Sequence, residues 1–225
     1  MPTIVFVSPK GGAGKTTSAL VLATQLAKKT NVTVIDADPN HPIATWAKGD
    51  SKPDNLTVIS DVNEENIADL IDEAAANAPI VIVDLEGTAS KIVVMAVTRA
   101  DFVIIPTQGS ELDAEQAGRA LNVIKQHEKS MRRANADYKL PFKVLLTRTN
   151  AAIRARTLSH IEKSMTSAGI PLFVAEMNER EAFKAMFSFR KPLEMLDRAS
   201  VSNVDKAIAN AEQFALEVIN DIRSI

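Results

Sequence analysis

Short apolar runs separated by amphipathic stretches set the pattern of this chain. Ile4-Val5-Phe6-Val7, Val32–Ile35 and Ile80–Val83 are continuous blocks of apolar and β-branched residues. Runs of that kind suit strands buried on both faces. They predict strands at Thr3–Val7, Val32–Ile35, Leu56–Ile59, Ile80–Val83, Phe102–Ile105 and Lys143–Thr147, with a seventh at Pro171–Val174. Between them, apolar residues recur at helical spacing. Ala117, Ala120, Leu121 and Ile124 fall at i, i+3, i+4 and i+7, and Leu158, Ile161 and Met165 mark another stripe. A last stripe runs through Val201, Val204, Ile208, Ala211, Ala215, Val218 and Ile222, and its polar face carries Asp205, Glu212, Glu217 and Asp221 against Lys206 and Arg223. A membrane-surface helix would carry a basic polar face, so this one is expected to pack on the domain. Strand and helix alternate throughout, which predicts an α/β fold: a three-layer, mostly parallel twisted sheet with helices on both faces.

The first apolar run leads directly into Lys10-Gly11-Gly12-Ala13-Gly14-Lys15-Thr16-Thr17, and a helical pattern follows. Glycines let a backbone approach an anion closely, and the amides and positive end of the following helix favour phosphate. In a phosphate-binding loop of this kind Lys15 reaches the β- and γ-phosphates and the Thr16 hydroxyl binds Mg²⁺. Two further elements end on carboxylates: Val34-Ile35-Asp36-Ala37-Asp38-Pro39-Asn40, and Ile82-Val83-Asp84-Leu85-Glu86-Gly87. Acidic residues at strand C-termini beside such a loop lie where open α/β sheets bind ligands.

The usual loop reads G-x-x-x-x-G-K-[ST], but here Pro9 occupies the first glycine slot and a second lysine, Lys10, sits just inside. That arrangement resembles the deviant Walker A motif of the ParA/MinD ATPases, in which the extra lysine crosses a dimer interface to the partner's nucleotide. By this resemblance Gly11, Gly12, Ala13, Gly14, Lys15, Thr16 and Thr17 cradle ATP. Asp38 positions or activates the attacking water, Thr16 and Asp84 hold Mg²⁺, and Asp36 contributes to the magnesium environment. Lys10, Lys15 and Asp38 are then the catalytic set, and basal hydrolysis is expected to be weak. Gly87 fits a turn that senses the γ-phosphate, and Glu86 departs from the family pattern. Val103-Ile104-Ile105-Pro106-Thr107-Gln108 followed by Leu112-Asp113 resembles a further family strand and loop, and Thr45-Trp46 resembles the short partition ATPases and the accessory ATPase of T-DNA conjugation. Pro106, Thr107 and Arg148 are expected on loops that could reach the base.

Composition narrows the function further. With 225 residues, 46% of them hydrophobic, the chain is expected to form one P-loop ATPase domain over 1–225, with no room for an N-terminal helix-turn-helix domain. There are no cysteines, which excludes disulfides, thiolate–metal sites and iron–sulfur relatives. His41, His127 and His160 have no metal-ligand spacing. Met1-Pro2 leads straight into the first strand and no apolar stretch approaches the roughly 20 residues of a membrane span, so a cytoplasmic protein is expected. Net charge is −2, yet Arg119 to Lys163 holds eleven Lys and Arg against Glu128, Asp137 and Glu162, a local +8. Such asymmetry can build a basic face on an acidic protein.

The resemblance implies an ATP-bound homodimer that binds DNA non-specifically on the nucleoid. A ParB-like or other adaptor would stimulate hydrolysis, and the cargo would be a plasmid, a DNA-processing complex or another large assembly. Arg132, Arg133, Arg154, Arg156, Arg190 and Lys191 are the candidate DNA contacts. The alternative is an ATP-gated protein-interaction switch of the same fold that does not touch DNA.

Overall fold

The computed structural model describes residues 1–87, 91–153 and 155–225, with backbone alone at 111–114. Seven parallel strands form one sheet in the order β3-β2-β4-β1-β5-β6-β7. They are β1 Thr3–Phe6, β2 Val32–Ala37, β3 Leu56–Ile59, β4 Ile80–Leu85, β5 Phe102–Thr107, β6 Phe142–Thr149 and β7 Met177–Asn178. The continuous apolar runs exist because both sheet faces are covered. Ile4, Phe6, Val34, Ile82 and Ile104 face one core, while Val5, Ile35, Val81, Val83 and Val103 face the other.

The first core is closed by α1 (Lys15–Ala27), α2 (Pro42–Ala47), α7 (Glu181–Phe189), a 3-10 turn at Leu193–Met195 and α8 (Val204–Arg223). The second is closed by α3 (Ile67–Asn77), α4 (Lys91–Val97), α5 (Glu111–Met131) and α6 (Arg156–Ser167). Ala117, Ala120, Leu121 and Ile124 are buried as their spacing requires, as are Leu158, Ile161 and Met165. The C-terminal stripe packs inward: Val204, Ala211, Ala215 and Val218 are buried in the first core. Its acidic face is used for docking, since Glu217 and Asp221 receive the Lys143 ammonium at 3.1 and 2.8 Å.

Several strand expectations change. Strands β2, β4 and β5 run two residues further, through Ala37, Leu85 and Thr107, β6 spans Phe142–Thr149, and β1 ends at Phe6. Aspartate has poor strand propensity and ends the apolar pattern, but the ladder continues across Asp36↔Asp84 and Ala37↔Leu85. The seventh strand is Met177–Asn178, and Pro171–Val174 keeps only a bridge between Val144 and Leu172. The reason is a competing acceptor. The Val174 and Ala175 amides donate to the Glu217 carboxylate at 3.0 and 2.8 Å, so they are not available to a sheet ladder. Among the described residues no helix is long and apolar enough to cross a membrane.

Candidate nucleotide site

The loop between β1 and α1 turns through Gly12 and Gly14, with φ of 77° and 92°, and Lys15 is the first residue of α1. Two side chains distant in sequence hold its carbonyls. The Thr147 hydroxyl, at the end of β6, contacts the Ala13 carbonyl at 2.8 Å and the Thr107 carbonyl at 3.2 Å. Gln108 Nε2 donates to the Gly12 carbonyl at 2.8 Å. Carbonyls tied back in this way leave the loop's amides to the anion side. Neither strut was legible, because each joins segments about a hundred residues apart.

A cavity of about 440 Å³ opens over this loop, lined by Gly11, Gly12, Gly14, Lys15, Thr16, Thr17, Asp38, Asn40, Glu86, Gly87 and Arg148, with Pro9 at its rim. Lys15 is buried and its ammonium reaches the Lys10 carbonyl at 3.4 Å. Burial lowers its pKa, while Asp84, Asp38 and Glu86 pull it back up. Gly87 crosses close to the loop: a Cβ there would sit 3.2 Å from the Gly11 nitrogen and 3.4 Å from Lys15 Nζ. Any side chain at Gly87 would press on the phosphate-binding backbone. Ala13 is buried behind the loop, and Lys10 is half-buried beside the cavity.

Asp36 and Asp84 are register partners on adjacent strands. Each continues the parity of the residue two before it, Val34 or Ile82, and so points to the face covered by α1. Both are fully buried. Asp36 Oδ2 accepts from the Ala44 amide at 2.8 Å, but Asp36 Oδ1 and both oxygens of Asp84 lack a hydrogen-bond partner. Burial pushes the Asp84 pKa up to about 7, with the charges of Asp36 and Asp38 adding to it and the Thr16 hydroxyl and Lys15 ammonium opposing. Asp36 is raised too, chiefly by burial and against the Ala44 amide. Asp38 is half-buried at the cavity wall, with its carboxylate held by the Asn40 amide at 2.8 Å.

Orphaned buried carboxylate oxygens beside a lysine and a threonine hydroxyl are the donor set of a hard cation. No group of three or more His, Cys, Asp or Glu among the described residues could cage a metal. That fits Mg²⁺, which usually takes one or two carboxylates plus waters and substrate phosphates.

A second cavity, about 280 Å³, adjoins the first and is lined by Gly14, Thr17, Ser18, Thr147, Arg148, Asn178, Arg180 and Phe183 among others. Ser18 Oγ and Arg180 Nε are buried there without hydrogen-bond partners. Arg148 lines both cavities; Pro106 lies buried in β5 opposite Leu145 and lines neither. Asn178, Arg180 and Phe183 are thus placed here although no motif marked them.

The six candidate DNA contacts are dispersed. Arg132 and Arg133 follow α5, at the sheet edge opposite the loop, and Arg132 is engaged with Glu128 at 2.8 Å and the Tyr138 carbonyl at 3.0 Å. Arg156 begins α6 at the loop edge, and Arg190 and Lys191 are exposed at the end of α7. Arg154 lies outside the described residues, as do the side chains of Leu112 and Asp113.

Comparison with known proteins agrees with this geometry. The family model described as VirC1 protein matches residues 1–225. Protein ParA of Rhizobium radiobacter is 37% identical over 223 residues, covering 99% of this chain and 98% of that one. Among solved structures, a ParA family ATPase from Chlorobium tepidum superposes with a TM-score of 0.69 at 18% identity, covering 96% of this chain and 97% of that chain. MinD of Pyrococcus horikoshii, solved with Mg-ADP, superposes with a TM-score of 0.73 at 15% identity, covering 96% and 95%.

Proposed function

Because the chain belongs to the VirC1 family, matched along its whole length, we propose that it is an ATPase of the partition type, whose ATP-bound dimer binds DNA and positions a large cargo. The observation that carries this reading is the pair of buried carboxylates in register on adjacent strands, Asp36 and Asp84, with three of their four oxygens lacking a hydrogen-bond partner, behind the cavity that Lys15 and Thr16 line. A site so charged needs a cation and an anion together, and Mg–ATP is both.

In this reading the triphosphate lies on the amides of Gly11–Thr16 and at the start of α1, and Lys15 meets the β- and γ-phosphates. The smaller cavity at Asn178, Arg180 and Phe183 takes the base, with Arg148 between base and phosphates. Thr16 and Asp84 hold Mg²⁺, with Asp36 behind them. When bound, that ion neutralises charge on the phosphate oxygens. Asp38, oriented by Asn40, places a water for attack on the γ-phosphorus; the water oxygen bonds to phosphorus as the bond to the β–γ bridging oxygen breaks. Phosphoryl transfer rests on positioning and charge. Asp38 and Glu86 are the carboxylates that line the cavity, and this reading gives the water to Asp38, with slow basal turnover that an adaptor protein accelerates. Lys10 reaches across to the nucleotide of a second copy.

The similarity to Protein ParA supports partition as the role, and exposed cations such as Arg190 and Lys191 are available for phosphate contact. The direct test is retention on non-specific DNA with ATP, with ADP and without nucleotide, across salt concentration. Retention with ATP alone, falling steeply with salt, is expected. ATP-dependent dimers with no retention at any salt would instead support the protein-interaction switch.

A further inference from the structure

The helix that follows the Asp36–Asn40 segment is also fixed to an exposed bend far along the chain. At its start, the Ala44 amide of α2 donates to Asp36 Oδ2 at 2.8 Å. At its end, Trp46 is 1% exposed, in the core that also holds Met186 and Leu193, and its indole N–H donates to the Lys191 carbonyl at 3.4 Å. One turn on, Gly49 lies against the same bend. A Cβ on Gly49 would stand 2.5 Å from the Arg190 carbonyl oxygen and 2.7 Å from the Arg190 Cβ.

The bend is the left-handed cap that ends α7. Arg190 holds a left-handed φ of 51°, a conformation that costs a non-glycine residue roughly 1 kcal/mol. It is held by the Lys191 amide on the Met186 carbonyl at 3.1 Å and by buried Pro192. Phe189, Arg190 and Lys191 are all exposed, Phe189 by 55%. A six-residue helix thus has one end on a carboxylate of the nucleotide site and the other on the backbone of a basic surface bend.

We propose that α2 is a relay: binding of Mg–nucleotide at Asp36 and Asp38 is transmitted through Trp46 and Gly49 to the Phe189–Lys191 bend, which is the nucleotide-sensing part of the DNA-contacting surface. Trp46 acts as a positioning residue, since it touches no substrate. The inference rests on the nucleotide reading above and adds the route by which the site controls the surface. Coupling between two sites requires an element that both bias, and α2 is bonded to each.

The test is amide hydrogen exchange of residues 186–192 in the full chain, without nucleotide and with saturating Mg–AMPPNP. Exchange at Arg190 and Lys191 should slow by about fivefold or more in the wild type, the lower end of ordinary allosteric coupling. Trp46→Phe keeps the ring packing and removes the indole donor. Gly49→Ala drives a methyl into the Arg190 carbonyl. Each should bind Mg–AMPPNP within about twofold of wild type by calorimetry while losing most of the slowing. Trp46 is the chain's single tryptophan, so its emission should also change with Mg–AMPPNP in Gly49→Ala, where the helix still senses the site. Binding without slowing at the bend, or equal slowing in both variants, overturns the relay. No AMPPNP binding by the wild type would retire the nucleotide reading and the relay together. The relay intact, with no DNA retained in any state, would retire the DNA reading alone.

Discussion

Asp84 should destabilise the nucleotide-free protein, and its removal should show by how much. Replacing it with asparagine keeps the shape and removes the charge. In the fold, burial lifts the carboxyl from an ordinary 3.8 to about 7, which at about 1.4 kcal/mol per tenfold change in proton affinity corresponds to a ceiling of about 4 kcal/mol. The sign follows from where the proton sits. Well below pH 4 the group is protonated folded and unfolded, so it costs nothing. As pH rises toward 7 the unfolded chain releases the proton while the fold retains it, and stability falls. Above 7 the full cost applies. An asparagine amide left without partners itself costs about 1–3 kcal/mol, but equally at every pH. Asp84→Asn should therefore be close to wild type or slightly weaker at pH 5, and more stable by about 1–3 kcal/mol at pH 8.

Urea unfolding of the nucleotide-free protein at the two pH values measures this directly. The wild-type-to-variant difference should move by about 2–3 kcal/mol between them, which is about 4–12 °C in melting temperature for a chain of this size. At pH 8, Mg–ATP should stabilise the wild type and do far less for the variant. A stability difference that is the same at pH 5 and pH 8 would refute the reasoning, because it would mean the carboxylate is solvated or paired in the fold.

Other outcomes are equally specific. Asp38→Ala should bind ATP and accumulate as a dimer on sizing columns, with turnover reduced by about 100-fold or more; a monomer in ATP would show that Asp38 does not act on the attacking water. Thr147→Val preserves volume but loses the contacts to the Ala13 and Thr107 carbonyls, so it should cost about 1–3 kcal/mol and weaken ATP binding in calorimetry. Unchanged ATP affinity would mean that the loop holds its shape without this strut. Glu217→Ala strands the Val174 and Ala175 amides and leaves the Lys143 ammonium to Asp221 alone, and should lower stability by about 2–4 kcal/mol in urea without altering the ATP affinity.

What the chain discloses in one dimension depends on whether the chemistry is contiguous. Loop 10–17 is legible because phosphate must be met by successive amides, so its residues have to be neighbours in sequence. The strands are legible because a sheet covered on both faces leaves few polar positions within them. Asp36 and Asp84 stand out as acids ending apolar runs, but their facing each other is a matter of register, which spacing does not reveal. The Thr147 and Gln108 struts, and the pairing of α2 with the Arg190 bend, join residues about a hundred or more positions apart. No local pattern requires them.

The basic segment illustrates the opposite error, in which nearness along the chain suggests nearness in space. Arg119 to Lys163 is dense in cations, but α5 is 21 residues long and at 1.5 Å per residue carries its C-terminal arginines about 30 Å from the loop edge. Arg132 is then spent on Glu128 and Tyr138, and Lys143 on Glu217 and Asp221. The local excess of +8 is partly neutralised by the acidic helix α8 that folds back against it. A DNA surface on this protein therefore cannot be the basic segment as a unit. In the proposed reading it is assembled from cations on separate elements, and the exposed bend at Arg190 and Lys191 is tied toward the nucleotide site by the Trp46–Lys191 and Ala44–Asp36 hydrogen bonds. If DNA binding is gated by ATP, reversing charge at Arg190 and Lys191 should abolish the ATP dependence of retention. Reversing it at Arg132 and Arg133 should lower retention by a similar factor in every nucleotide state.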